Sequence, residues 1–178
     1  MRCTHYFLID DGLIPNHPTL PLLVYQDALS LVGRDPAAVA EKTFCDNDWG
    51  GLWRNGIYPF HHYHSTAHEV LAIVQGWARV QLGGEQGIML TACAGTVLLL
   101  PAGTGHKRLD ASPDLLVVGA YPPGQTWDLC RGTAEEREMA LANLQRVPLP
   151  VIDPVYGATG PLVELWLQPI QRREERCA

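Results

Sequence analysis

Residues 56–76 read Gly56-Ile57-Tyr58-Pro59-Phe60-His61-His62-Tyr63-His64-Ser65-Thr66-Ala67-His68-Glu69-Val70-Leu71-Ala72-Ile73-Val74-Gln75-Gly76. Five of the chain's seven histidines lie between positions 61 and 106, and three of them fall in the run 61–64. In a strand, alternate side chains share a face, so His62 and His64 point together at one ion while His61 and Tyr63 point away. Glu69 adds a carboxylate oxygen beyond the short turn at Ser65-Thr66. His106, following the turn-rich Pro101-Ala102-Gly103-Thr104-Gly105, adds a third imidazole from a separate strand. Three nitrogens and one carboxylate are borderline ligands suited to a divalent Fe, Mn, Ni, Co, Cu or Zn ion.

Period-two reasoning puts Glu69, Leu71 and Ile73 on one face and His68, Val70 and Ala72 on the other, which favours the glutamate inward. A bend at Ser65 to Ala67 keeps His68 as a substitute for Glu69 or as its support. By the same alternation Tyr58 and Phe60 precede His62 on the ligand face, and Arg108 follows His106. In a pocket, Tyr58 offers a proton or hydrogen bond, and Arg108 a partner for a carboxylate or phosphate. The opposing reading makes Tyr58 and Phe60 core aromatics and Arg108 an exposed strand residue. Trp49, Trp53, Trp77, Trp127 and Trp166 are read as packing residues, not as a ligand cage.

Around this centre, short β-type runs alternate with Gly or Pro punctuation. Strands are expected at 57–64, 68–75, 77–82, 87–91, 96–100, 105–109 and 115–121, a spacing that indicates a sandwich or barrel. Upstream, Pro15, Pro18 and Pro21 break any helix, so the segment from Asp10 to Tyr25 is an extended arm whose apolar residues pack on a sheet or a second subunit. Asp35-Pro36 followed by Ala37-Ala38-Val39-Ala40 supplies an N-cap, a first-turn proline and helix formers, predicting a short helix to about Phe44. Gly50, Gly51 and Gly56 then break the pattern. Thr133-Ala134-Glu135-Glu136 is a capping box that opens an amphipathic helix to about Arg146. The proline-rich tail from Pro148 to Pro169 is expected to be extended and packed on the barrel exterior, with 172–176 as a solvated end.

The chain has 178 residues, enough for one domain with a substantial core. Its 13 Lys and Arg against 19 Asp and Glu give a net charge of −6, a poor match to nucleic acid. No apolar run approaches the roughly 18 residues needed to span a bilayer. The five cysteines are scattered without a Cys-x-x-Cys pair, and the N-terminus lacks the apolar core of a secretory signal, so a reduced, cytoplasmic protein is expected.

The spacing Gly56, His62, His64, Glu69, Gly76 resembles the first cupin motif at each defined position, and Gly95, Pro101, Gly103, His106 resembles the second, with Asp110 in place of its final Asn. Further stretches, 10–16, 53–58, 61–64, 101–106 and 153–157, are similar to the YjlB-like bacterial cupins, a family without an assigned reaction. The resemblance implies a mainly β, single-domain cupin jelly-roll, a double-stranded β-helix barrel. Its core would span about 53–122, flanked by an N-terminal arm and helix (5–52) and a C-terminal helix and tail (123–178). It implies His62, His64, Glu69 and His106 as the ligands of a divalent transition metal, and a homodimer as the assembly. The expected activity is that of a metal-dependent enzyme on a small polar metabolite, with dioxygenase-type chemistry slightly favoured over sugar or sugar-phosphate isomerisation. The competing expectation is a non-catalytic metal or small-ligand binding protein, such as a sensor.

Overall fold

The computed structural model describes residues 2–168. The described residues hold nine strands: β1 (Arg2–Tyr6), β2 (Leu22–Gln26), β3 (Gly50–Asn55), β4 (Glu69–Gln75), β5 (Trp77–Leu82), β6 (Ile88–Cys93), β7 (Val97–Leu100), β8 (His106–Ala111) and β9 (Leu116–Tyr121). They form two antiparallel sheets, a six-stranded one in the order β1-β2-β7-β4-β9-β3 and a three-stranded one in the order β6-β5-β8. This is the expected mainly β architecture of two antiparallel sheets. Helix α1 spans Pro36–Asp46 and α2 spans Ala134–Leu144. Asp35 caps α1 by accepting from the N–H groups of Ala37 and Ala38 at 3.1 and 3.3 Å. No helix among the described residues is long and apolar enough to cross a membrane.

The inner strands β2, β7, β4 and β9 of the six-stranded sheet are buried on both faces, and their side chains sort by alternation. Leu22, Val24, Leu71, Ile73, Leu98, Leu100 and Val117 face inward, against Ala78, Val80, Leu82 and Ala92 of the three-stranded sheet. Leu23, Tyr25, Val70, Ala72, Val97, Leu99 and Val118 face outward, beneath Phe44 of α1 and Trp49, Leu162 and Trp166. This double burial explains uninterrupted apolar runs such as Val97–Leu100 in an antiparallel sheet. Each fully buried side chain of this size contributes about 1.5–3 kcal/mol.

The extended arm packs on the chain's own sheet and is part of it: β1 and β2 belong to the large sheet, in register from Arg2↔Gln26 to Tyr6↔Leu22. Two expectations are corrected. No strand covers 57–64; Pro59 interrupts that run, and β3 forms instead over Gly50–Asn55, where Gly51 sits at φ 63° and the pairing with β9 shifts register. The tail is not wholly extended, since Pro161 opens a helical turn that continues as a π-helical segment, Val163–Leu167. That segment is anchored by the Trp166 indole N–H, which donates to the Pro21 carbonyl at 3.0 Å. The fully buried Asp153 carboxylate ties the tail down: it accepts from the Tyr25 hydroxyl at 2.8 Å and from the N–H groups of Val155, Tyr156 and Leu162 at 2.9–3.0 Å. The charged end at 172–176 lies outside the described residues.

Candidate metal centre

His62 and His64 converge without a regular strand because the backbone of 61–68 is pinned on both sides. His62 and His106 exchange N–H···O bonds of 3.2 and 3.0 Å, a one-residue bridge to β8. Tyr63 does the same with Cys130 at 3.0 and 2.9 Å, and the His68 N–H donates to the Gln125 side chain at 2.9 Å. The loop is thereby held between β8 and the segment 125–130.

The imidazole donor atoms of His62, His64 and His106 lie within 4.8 Å of one another, and all three side chains are buried. Glu69, at the start of β4, brings Oε2 to 3.4 Å from His64 Nε2 and 3.3 Å from His106 Nε2. One first-row ion at about 2.1 Å from each donor can be shared across such separations with small ring rotations.

Each ring is oriented through its other nitrogen. Nδ1 of His62 faces the Phe60 carbonyl at 3.3 Å, Nδ1 of His106 faces the Thr104 carbonyl at 3.0 Å, and Nδ1 of His64 faces the Asp128 carbonyl. A carbonyl only accepts, so Nδ1 carries the hydrogen in all three and Nε2 turns toward the shared centre. On the carboxylate, Oε1 accepts from the Tyr121 hydroxyl at 2.9 Å, and that hydroxyl receives the Trp53 indole N–H at 3.2 Å. Oε2 is buried with no hydrogen-bond partner. Four electron pairs therefore converge on one space, an arrangement that could hold a cation.

The titration behaviour follows from this geometry. Burial pushes His62 down to about 3, helped by neighbouring His106. Burial also presses His64 down, but the Glu69 carboxylate outweighs it and holds the imidazolium above its ordinary pKa. Burial would raise Glu69, yet His64 and His106 hold it well below the usual carboxylate range.

The four groups lie at the base of a cavity of about 320 Å³ whose walls include Trp53, Arg54, Tyr58, Leu71, Tyr121, Trp127 and Leu129. Tyr58 lines it as expected. Arg108 does not: its guanidinium lies beside Gly56 at the rim, two residues, or about 6.6 Å, along β8 from His106. Phe60 also stays out, stacked on Tyr58 at 4.9 Å with the Arg131 guanidinium 3.6 Å from its ring centre. His68 points to the opposite side of the sheet, 5.0 Å from the Trp166 ring, where its Nδ1 accepts the Ala102 N–H at 3.0 Å. His61 approaches Glu85 at 3.5 Å. Trp53 and Trp127, read from sequence as packing residues, line the cavity. Tyr121, 52 residues from Glu69, and the Asp128 carbonyl escaped sequence reasoning; no local spacing announces either.

No family model matches the chain. It is 43% identical over 163 residues to the uncharacterized protein YjlB of Bacillus subtilis, an alignment covering 92% of this chain and 96% of that one. Among solved structures it is similar to a DUF861 family protein from Thermotoga maritima, with a TM-score of 0.31, 19% identity, and coverage of 51% of this chain and 96% of that one. It is also similar to the dTDP-6-deoxy-D-glucose-3,5-epimerase RmlC of Legionella pneumophila, with a TM-score of 0.38, 12% identity, and coverage of 67% and 71%. The structural likenesses concern the fold alone. The sequence identity, sustained over nearly the whole of both proteins, shows that this chain belongs to the family of YjlB.

Proposed function

We propose that this protein is a metal-dependent enzyme acting on a small molecule inside the barrel, and that His62, His64, Glu69 and His106 hold its divalent transition metal. The observation that carries the reading is the orphaned Glu69 Oε2 facing imidazole nitrogens whose opposite edges are each committed to a carbonyl. An ion bound there would supply a redox centre and a template for dioxygen-dependent oxidation, the reaction type we favour. The chain's own contribution is orientation: three carbonyls fix the rings, Tyr121 fixes the carboxylate, and the apolar walls exclude water from the base of the cavity. Tyr58, half exposed among the lining residues, would donate a hydrogen bond to a substrate.

Sugar-phosphate isomerisation draws less support, because Arg108, the cation expected to hold a phosphate, stands outside the cavity lining. The same cavity would also serve a binding or sensing protein. Ligand-induced thermal stabilisation without turnover across a metabolite panel would favour that alternative. Homodimerisation belongs to the same proposal, supported by the exposed apolar residues Phe7, Ile9 and Leu13 of the N-terminal segment; sedimentation measures it directly.

The test is metal content by inductively coupled plasma mass spectrometry on untagged protein purified without chelator, beside a His62→Ala/His64→Ala variant. Near-stoichiometric Fe or Mn, lost in the variant, is expected. A parent that takes up no ion even after anaerobic reconstitution would overturn the metal-centred reading.

A further inference from the structure

The cavity joins the four candidate ligands to a mouth built from aromatic and apolar side chains. Trp127 lies flat on Tyr121, with ring centres 4.1 Å apart and planes 7° from parallel, yet Trp127 remains 45% exposed. Tyr58 stacks on Phe60 at 4.9 Å and 11°, and remains 48% exposed; Leu129 is 51% exposed. Each outer ring is thus held rigid by a stacked partner while much of its surface stays in solvent. Exposing apolar surface at the mouth of a cavity is unfavourable unless a ligand covers it.

Charge narrows the class of ligand. Among the described residues lining the cavity, Arg54 is the only Lys or Arg. Its guanidinium is already spent: Nε and Nη2 donate to the two Glu41 oxygens at 2.6 and 2.7 Å, and Nη1 donates to Asp35 at 3.0 and 3.1 Å. A phosphate or carboxylate held away from the metal would find no free Lys or Arg on these walls.

We infer that the ligand of this site is a planar aromatic molecule with no charged group beyond its chelating oxygens, which presents a pair of adjacent oxygens to the metal and lays its ring against Trp127. The inference rests on the metal-centred reading above. Catechols and aromatic hydroxyketones have this chemistry. Trp127 acts as a binding residue, and its stack on Tyr121 preorganises the platform.

Two hydroxamates with the same chelating head test this on cobalt-loaded protein, read by the visible absorption of the metal and by calorimetry. Benzohydroxamate carries a ring, whereas acetohydroxamate carries only a methyl group. Benzohydroxamate is expected to bind about tenfold more tightly or better, with Trp127→Ala removing most of that preference and Trp127→Phe keeping it. Cobalt content is measured in each variant, and Tyr58→Ala, at the other stacked pair, gives an independent reading if Trp127→Ala does not fold. Equal affinity of the parent for both hydroxamates would overturn the aromatic platform while leaving the metal centre standing. Failure of both compounds to perturb bound cobalt would overturn the chelating ligand, and failure of the parent to bind cobalt at all would overturn the metal-centred reading.

Discussion

The Tyr121 hydroxyl donates to Glu69 Oε1 at 2.9 Å, so Oε2 is the oxygen turned toward His64 and His106. Tyr121→Phe removes that constraint and leaves Oε1 buried without its donor. Metal affinity is expected to fall about 10–100-fold, and folding stability by about 1–2 kcal/mol. Competition against a chromophoric chelator measures the first and urea denaturation the second; unchanged affinity would show that the histidines alone hold the carboxylate in place.

Metal uptake should release a proton. His64, held above its ordinary pKa by Glu69, must lose a proton before Nε2 can coordinate, whereas His62, at about 3, is already neutral. Affinity therefore rises with pH until the His64 value is passed, then levels off. Calorimetry in buffers of different ionisation enthalpy counts the protons, and zero release below the plateau would contradict the His64–Glu69 pairing.

Acid stability has a separate origin on the other face of the sheet. Burial holds His68 neutral, with its pKa lowered to about 3, and lowers that of nearby His17 to about 4. Their folded values lie below the unfolded one, so the unfolded chain binds more protons on acidification. The contribution is complete above pH 6.5 and lost progressively as pH falls toward those folded values. For His68 the slope approaches about 1.4 kcal/mol per pH unit. His68→Gln, whose amide oxygen can take over the Ala102 N–H, should flatten this limb in urea titrations between pH 4 and 7; an unchanged slope would exclude His68 as its source.

Asp153→Ala strands the Tyr25 hydroxyl and three backbone N–H groups in the interior. The expected cost is about 3–5 kcal/mol. Tyr25→Phe leaves the three backbone donors on the carboxylate and should cost only about 1–2 kcal/mol. Equal losses from the two variants, compared by denaturation midpoint, would show that the hydroxyl alone matters.

Six of the seven strands expected from sequence are present, 77–82 with the expected ends and the other five with shifted ends, because Gly or Pro marks their turns and alternation marks their faces. The candidate ligands are legible for a different reason: three histidines and a glutamate at fixed spacing carry their chemistry whatever the local backbone does. The strand expected at 57–64 failed, yet His62 and His64 converge all the same, because one bridge to His106 replaces a ladder. Side chains supplied across long separations were not legible. Trp53 reaches Tyr121 across 68 residues, and the chain at 119 must be glycine-like for it to do so, since a Cβ on Gly119 would overlap the Trp53 indole. Prolines hid the helical turn near Trp166, where Pro161 starts the helix that its neighbours seemed to forbid.

The double burial of the six-stranded sheet's inner strands bears on how the chain is made. Every strand precedes Leu162 and Trp166 in sequence, and these two residues cover its outer face. During synthesis the sheet can therefore pair completely while Leu23, Tyr25, Val70 and Leu99 still lack part of their cover. Until the Trp166 segment docks on Pro21, that outer face lacks part of its apolar cover, so the docking is expected to come after the sheet has paired.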